Sequence, residues 1–121
     1  MATVLVIDDD DAVRDAIVEI LESEGHAVTP ARNGREGIAS FKALRPDVVV
    51  TDIIMPDKEG IETIRDLKAM APDVRIVAIS GGGRTGNVDF LHVAEAFGAA
   101  CVLRKPFEPR ELLDSVSQAL I

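Results

Sequence analysis

The 121-residue sequence predicts an α/β domain, a doubly wound parallel sheet with helices on both faces. Three observations predict this fold class. Short apolar runs alternate five times with segments whose apolar residues recur at helical spacing. Internal repeats, linkers and low-complexity tracts are absent from the sequence. The hydrophobic fraction of 47% is enough for a core of its own. Strands that alternate with helices pair in parallel through right-handed crossovers.

The five predicted strands are short apolar runs that stop at acidic, glycine or other turn-forming residues. In chain order they are Thr3–Ile7, Ala27–Ala31, Val48–Val50 with its end at Asp52, Val74–Ile79 and Ala100–Leu103. The third run consists of valines alone, which is typical of a strand buried on both faces. It is therefore the expected centre of the sheet.

Five helices are predicted after these strands from their apolar spacing. Their apolar positions fall within residues 13–21, 38–44, 61–67, 91–97 and 112–120. Each of the first four patterns is followed by a helix-ending residue, in order Gly25, Pro46, Pro72 and Gly98. Asp10 and Asp11 are expected to cap the first helix, where negative charge meets the positive end of the helix dipole.

Composition excludes several classes of protein. The net charge of −8 argues against direct nucleic-acid binding, which needs clustered Lys and Arg. No apolar run approaches the roughly 20 residues that span a membrane, and the N-terminus lacks the apolar core of a signal peptide. The single cysteine, Cys101, is expected to be a small core residue. We therefore expect a cytoplasmic domain with neither a nucleic-acid nor a membrane partner.

Polar residues follow four of the five strands where each gives way to a loop. They are Asp8 and Asp9 after the first strand, Asp52, Ser80 and Lys105. The carboxyl ends of parallel strands meet at one edge, where α/β sheets bind ligands. Three carboxylates brought together repel one another, and Mg²⁺, which prefers oxygen ligands, relieves that repulsion. The pattern predicts a phosphoryl-transfer site in which Asp52 is the nucleophile, Lys105 pairs with a phosphoryl oxygen and Ser80 hydrogen-bonds another.

These residues and their order resemble the receiver domain of bacterial two-component response regulators. The matching motifs are VLVIDDDDAVR at Val4–Arg14, DVVVTDIIMPDKEG at Asp47–Gly60, AISG at Ala78–Gly81 and GAACVLRKPF at Gly98–Phe107. Together they cover the whole chain in the expected order. The resemblance implies a flavodoxin-like sheet with strand order 2-1-3-4-5, for which receivers are themselves a standard example.

The resemblance also implies roles for the site residues. Asp52 would accept a phosphoryl group from a sensor histidine kinase or a histidine phosphotransfer protein. Mg²⁺ would be held by Asp9, Asp52 and the main-chain carbonyl of Ile54, with Asp8 assisting through water. Ser80 would be the switch hydroxyl and Lys105 the phosphate-binding lysine, with a cis bond between Lys105 and Pro106. The domain would be a signalling switch that slowly hydrolyses its own phosphoryl group, not an enzyme on a separate substrate.

Two positions depart from the family pattern. Val102 stands where the family usually has an aromatic side chain that swings inward on phosphorylation. The segment Ser80–Asn87, SGGGRTGN, is longer and richer in glycine than usual. We hypothesise that this loop transmits the signal instead, because free glycines rearrange easily. Ile54 and Gly82 should flank the attacking water, and neither side chain is polar, so we predict slow loss of phosphate.

Three alternatives remain open on the sequence alone. Gly81–Gly86 fits the glycine pattern of a dinucleotide site, although the next strand ends in Arg104-Lys105 where that site needs an acid. A haloacid-dehalogenase-like phosphohydrolase would use Asp9 as nucleophile and leave Asp52 unexplained. A degenerate receiver would signal by binding alone.

We expect residues 1–121 to form a single receiver domain with no output domain. Its downstream protein target is not specified by the sequence. The resemblance points to the predicted fourth helix, the fifth strand and the last helix as the surface for docking or for a possible homodimer. Arg32, Arg35, Lys42 and Arg45 are expected to form a solvated basic face, and His26 and His92 to be ordinary loop or helix residues.

Overall fold

A computed structural model describes residues 2–53, 59–80 and 98–121, with the side chains of the third helix described from residue 62 onward. It contains a five-stranded parallel sheet in the order β2-β1-β3-β4-β5. The strands are β1 (Thr3–Ile7), β2 (Ala27–Ala31), β3 (Val48–Asp52), β4 (Ile76–Ser80) and β5 (Cys101–Arg104). The predicted fold class and strand order are confirmed.

Four helices are described, and capping residues explain where three of them start. They are α1 (Asp11–Ser23), α2 (Gly34–Leu44), α3 (Glu59–Met70) and α4 (Pro109–Leu120). The Asp10 side chain accepts hydrogen bonds from the first turn of α1, and the Asn33 side chain does the same for α2. At α4 the Glu111 side chain accepts the Glu108 N–H at 2.8 Å. The predicted helix at 91–97 and the glycine-rich loop after Ser80 lie outside the described residues.

The sheet separates two apolar clusters because successive side chains of a strand point to opposite faces. On one face, residues such as Leu5, Val49 and Ile76 pack against α2 and α3. On the other, their neighbours such as Val6 and Val50 pack against α1 and α4. All five residues of β3 are buried, as expected of a central strand covered on both sides.

Helix α2 packs closely against β1 at Gly37. Gly37 is buried on this helix, and a Cβ at this position would lie 2.8 Å from Cγ1 of Ile7. A side chain at this position would therefore require Ile7 or the helix to shift. Ile7 ends β1 immediately before Asp8, so this contact lies next to the point where the polar residues begin.

The predicted bounds of two strands are wrong by one or two residues. β4 starts at Ile76, not at Val74, because the Val74 N–H bonds to the Ala71 carbonyl in the preceding turn. It extends to Ser80, which pairs with Arg104 of β5. β5 correspondingly runs over Cys101–Arg104, one residue later than predicted. Both strands therefore bring polar residues to the same carboxyl edge.

Candidate functional site

Three carboxylates meet at the carboxyl edge of the sheet. Asp52 ends β3, while Asp8 and Asp9 directly follow β1. One carboxylate oxygen from each lies within 4.8 Å of the others. Asp8 and Asp52 are only 1% and 4% exposed, whereas Asp9 faces solvent. The predicted acidic cluster therefore has two buried members and one accessible member.

Lys105 supplies positive charge to the two buried acids. Its Nζ lies 3.2 Å from Oδ2 of Asp52 and 3.4 Å from Oδ2 of Asp8. The Lys105 N–H donates to the Ser80 carbonyl at 2.9 Å, which aligns the residue just after β5 with the end of β4. The Lys105-Pro106 bond is cis, as predicted. The ammonium is thus held between two acids from different strands.

Ser80 is buried at the end of β4, on the same edge as the acids. Its place in the strand next to β3 follows from the pairing of Ile79 with Asp52. The predicted fourth site element, the carbonyl of Ile54, lies outside the described residues. Four strands therefore contribute a predicted polar residue at or just after their carboxyl ends.

Burial and charge perturb the protonation of this cluster. The pKa of Asp8 is raised chiefly by burial and further by the charge of Asp52. The Asp10 N–H, which donates to Oδ1 of Asp8 at 2.9 Å, and Lys105 oppose that rise. Burial lowers the pKa of Lys105, but the combined attraction of Asp52 and Asp8 exceeds that effect and the pKa is raised. Lys105 stays protonated, and ionised Asp8 is held at a cost in free energy.

Arg14 also reaches this edge, and the sequence did not single it out. It lies in α1 with only 9% of its surface exposed. Its Nη1 donates to the main-chain carbonyl of Asp8 at 2.9 Å, and its Nη2 donates to Oδ1 of Asp11 at 2.6 Å. The pairing with Asp11 has an i,i+3 spacing that the sequence could have shown. The contact with the Asp8 carbonyl has no sequence signal.

A family model described as "Response regulator receiver domain" matches residues 4–117. The chain belongs to the response regulator receiver family. Receivers are signalling domains of two-component systems, so this membership favours the predicted class over the hydrolase and dinucleotide-binding alternatives. The glycine pattern behind the latter, Gly81–Gly86, lies outside the described residues.

Relatives of this receiver include proteins of similar and of much greater length. It is 32% identical over 117 residues to a chemotaxis protein CheY of Halobacterium salinarum, covering 97% of this chain and 95% of that protein. It is 34% identical over 121 residues to the sensor kinase CckA of Brucella abortus, covering 98% of this chain but 12% of the kinase. A crystal structure of a receiver domain protein from Clostridium thermocellum superposes with a TM-score of 0.90 at 31% identity, covering 99% and 94% of the two chains.

The donor set of this receiver fits a small divalent cation. The three carboxylates offer only oxygen ligands, the kind that Mg²⁺ prefers, and one of them is open to solvent. Among the described residues, the Lys105 ammonium contacts the two buried carboxylates, and together with Asp9 these acids outnumber it. Burial and, to a lesser extent, the charge of Asp52 raise the pKa of Asp8, and added positive charge would favour its ionised form.

The remaining sequence predictions concern residues away from the cluster. Val102 is half-buried and packs against the apolar cluster shared with α2 and α3. Cys101 is on β5 as predicted but half-buried, and burial raises the pKa of its thiol. His26 has a role that the sequence did not show, because its Nδ1 accepts the Ala2 N–H at 3.1 Å. The predicted basic residues on and beside α2 are exposed, namely Arg32, Arg35, Lys42 and Arg45.

Two further observations concern the described helices and the surface beside Lys105. None of the described helices combines the length and the apolar character that crossing a bilayer requires. A mostly apolar groove of about 500 Å³ lies between α1 and the segment that leads into α4, lined by Val13, Ile20, Lys105 and Phe107 among others. Lys105 therefore lies between the acidic cluster and this groove.

Proposed function

We propose that this receiver accepts a phosphoryl group on Asp52 from the phosphohistidine of a sensor histidine kinase or a histidine phosphotransfer protein. The observation that supports it is the position of Asp52 at the end of the central strand, buried, with the Lys105 ammonium 3.2 Å from its carboxylate. A carboxylate in this setting is oriented for attack, and its charged partner is already in place.

The transfer forms one bond and breaks one. A carboxylate oxygen of Asp52 attacks phosphorus, forming an acyl phosphate, while the bond from phosphorus to the donor imidazole nitrogen breaks and its electron pair stays on that nitrogen. Lys105, which contacts Asp52 and Asp8 before the reaction, pairs with a phosphoryl oxygen. Ser80, buried at the end of the neighbouring strand, hydrogen-bonds another phosphoryl oxygen once the acyl phosphate exists.

We assign a Mg²⁺ site to the same cluster. Asp9 and Asp52 would be direct ligands, the carbonyl of Ile54 a third, and Asp8 would act through a water. When bound, the ion supplies positive charge to the phosphoryl oxygens during transfer. The solvent-facing carboxylate of Asp9 gives the ion an approach from outside, whereas Asp8 and Asp52 are buried.

Intact-mass spectrometry after incubation with Mg²⁺ and acetyl phosphate tests this proposal. Wild type should gain the mass of one phosphoryl group, and Asp52→Asn should gain none. Asp66→Asn is a control, because Asp66 is an exposed acid on α3. A gain that survives Asp52→Asn would move the nucleophile to Asp9. Absence of a gain in wild type would favour the receiver that signals by binding alone.

The modified domain would act as a switch for a downstream protein target. We propose residues 1–121 as one receiver unit. Of the proposed docking or homodimer surface, β5 and α4 are described, while the predicted helix at 91–97 is not. Size-exclusion chromatography with light scattering, with and without beryllium fluoride as a phosphoryl mimic, would show whether the switch changes the oligomeric state.

We further propose that the phosphoryl group is lost slowly by hydrolysis. The proposal depends on the apolar character of Ile54 and Gly82, which lie outside the described residues, so the sequence is its support. Loss of the added mass from the isolated domain within seconds would contradict it.

The loop hypothesis for Gly81–Asn87 is tested by amide spectra with and without the phosphoryl mimic, and unchanged shifts in that segment would contradict it.

A further inference from the structure

Arg14 has two acceptors at the edge of the acidic cluster. Among the described residues, the buried charged side chains are those of Asp8, Asp52 and Arg14. The guanidinium of Arg14 donates from Nη1 to the Asp8 carbonyl and from Nη2 to Asp11. A buried guanidinium needs hydrogen-bond acceptors such as these. One of them is a main-chain atom of the candidate site.

The Asp8 carbonyl belongs to the peptide group that joins Asp8 to Asp9. Other contacts fix the Asp8 side of this peptide, because the Asp8 N–H donates to the Ala31 carbonyl at 3.1 Å and Oδ1 accepts the Asp10 N–H. Rotation of the peptide plane would turn Asp9 relative to Asp8. The hydrogen bond from Arg14 at 2.9 Å opposes that rotation.

Within the described residues, the position of the Asp9 side chain depends on its backbone. Its side chain is exposed, and within the described part of the chain no hydrogen bond reaches its carboxylate. Even so, one of its oxygens lies within 4.8 Å of oxygens from Asp8 and Asp52. The direction of the main chain at Asp9 therefore decides whether its carboxylate stays beside the two buried ones.

We propose that Arg14 is a positioning residue for the cation site. Its guanidinium holds the Asp8–Asp9 peptide so that the Asp9 carboxylate faces the cluster before any ion arrives. This inference depends on the proposed Mg²⁺ site at Asp8, Asp9 and Asp52. Arginine is required because its planar fork reaches two acceptors at once, whereas a lysine keeps the charge but cannot span both.

Arg14→Lys is the direct test, since it keeps the charge and removes the fork. Titration with Mg²⁺, followed by amide spectra of the unphosphorylated protein, should show a dissociation constant raised about tenfold, as for other residues that orient metal ligands. In the metal-free protein the Asp8 carbonyl carbon shift should also change, because that carbonyl loses its donor. Arg65→Lys is the matched control, because Arg65 is an exposed arginine whose Nη2 lies 3.9 Å from a Glu62 carboxylate oxygen, and it should leave both readouts unchanged.

Asp11→Asn is a second variant that keeps the fold even if Arg14→Lys does not, since the Asp11 side chain is 79% exposed. It should raise the Mg²⁺ dissociation constant by less, about threefold, because Nη1 keeps its acceptor. In the double variant, Asp11→Asn should raise the Mg²⁺ dissociation constant little beyond that of Arg14→Lys alone, because both changes act through one contact.

Two results would overturn the proposal in distinguishable ways. Mg²⁺ dissociation constants within twofold of wild type in both variants would exclude the positioning role and leave the Mg²⁺ site standing. Absence of Mg²⁺-dependent shifts in wild type would remove the proposed site itself and the inference with it.

Discussion

The Nζ atom of Lys105 lies 3.2 Å from Oδ2 of Asp52, although 53 positions separate the two residues in the chain. The same ammonium is 3.4 Å from Asp8, so one positive charge serves two buried carboxylates. The charge balance of the site therefore depends on Lys105 and on any cation that binds at the acidic cluster.

Replacing Lys105 with Met should destabilise the metal-free protein. The change leaves two buried carboxylates without their shared cation, and we expect the free energy of unfolding at pH 7 to fall by about 1–2 kcal/mol, less than for a fully buried pair because Lys105 is partly exposed. The raised pKa of Lys105 means that its contribution is complete below 10.5 and is lost as pH rises through the raised value. Urea unfolding followed by far-UV circular dichroism measures the change.

Lys42→Met is the control for this prediction, because Lys42 is an exposed lysine of α2. Its stability should stay close to that of wild type. Added Mg²⁺ should restore part of the loss in Lys105→Met, since a divalent cation replaces the missing charge. Equal stability of Lys105→Met and wild type without Mg²⁺ would show that the two carboxylates do not need Lys105.

Replacing Asp8 with Asn should stabilise the metal-free protein at neutral pH. The pKa of Asp8 is raised on folding, so the folded state binds more protons than the unfolded chain between the ordinary value of 3.8 and the raised value. Stability therefore falls as pH rises through that window. Asparagine carries no charge, so we expect Asp8→Asn to have a larger free energy of unfolding than wild type at pH 7.

Urea unfolding at several pH values from 7 down to 4, in the presence of a chelator, checks this prediction. The advantage of Asp8→Asn should shrink as pH falls and Asp8 of wild type becomes protonated. Asp114→Asn is the control, since it removes an exposed acid from α4 and should show no such trend. An Asp8→Asn variant less stable than wild type at pH 7 would mean that its contacts with Lys105 and Asp10 outweigh burial.

Binding of Mg²⁺ should stabilise the wild-type fold. A ligand that binds only the native state adds about 2.7 kcal/mol at one hundred times its dissociation constant. Asp9→Asn should lose most of that gain while unfolding normally in a chelator, because its side chain is exposed. Thermal unfolding with Mg²⁺ and with a chelator separates the loss of Mg²⁺ binding from any change in the stability of the metal-free protein. A full Mg²⁺ response in Asp9→Asn would exclude Asp9 as a direct ligand.

Much of the fold and the site could be predicted from local sequence pattern. The bounds of β1 and β2 are as predicted, because each apolar run is followed by turn or capping residues. The acids meet because parallel strands bring their carboxyl ends together, which is a property of topology and needs no side-chain detail. β4 was predicted to begin at Val74 because an apolar residue in a tight turn looks like a strand residue.

Two contacts at the edges of the sheet were not predictable in this way. Arg14 looks like an ordinary helix residue, and its burial depends on where the Asp8 carbonyl points after β1 ends. His26 accepts a hydrogen bond from the N–H of Ala2, which becomes its neighbour only when β2 pairs with β1. Both are contacts from a side chain to a backbone group of another element. Such contacts are set by tertiary geometry, and residue spacing does not encode them.

Gly37→Ala should destabilise the fold through a single close contact. The new methyl group would lie 2.8 Å from Cγ1 of Ile7, so α2 or Ile7 must shift, and we expect a loss of about 1–3 kcal/mol in the free energy of unfolding. Alanine favours the helix in the absence of that contact. Urea unfolding compares the variant with wild type.

Ile7→Val provides the rescue that separates contact from backbone effects. It removes the Cδ1 atom that lies closest to the new methyl group and alone should cost about 0.5–1.5 kcal/mol. If the steric contact causes the loss, the double variant should be more stable than the sum of the single losses predicts. Ile7→Val keeps Cγ1, so the relief should be partial, and strict additivity would show that the Cδ1 contact is not the cause of the loss. Because Ile7 precedes Asp8, the same contact should also disturb Mg²⁺ binding in Gly37→Ala, and the double variant should recover part of that binding.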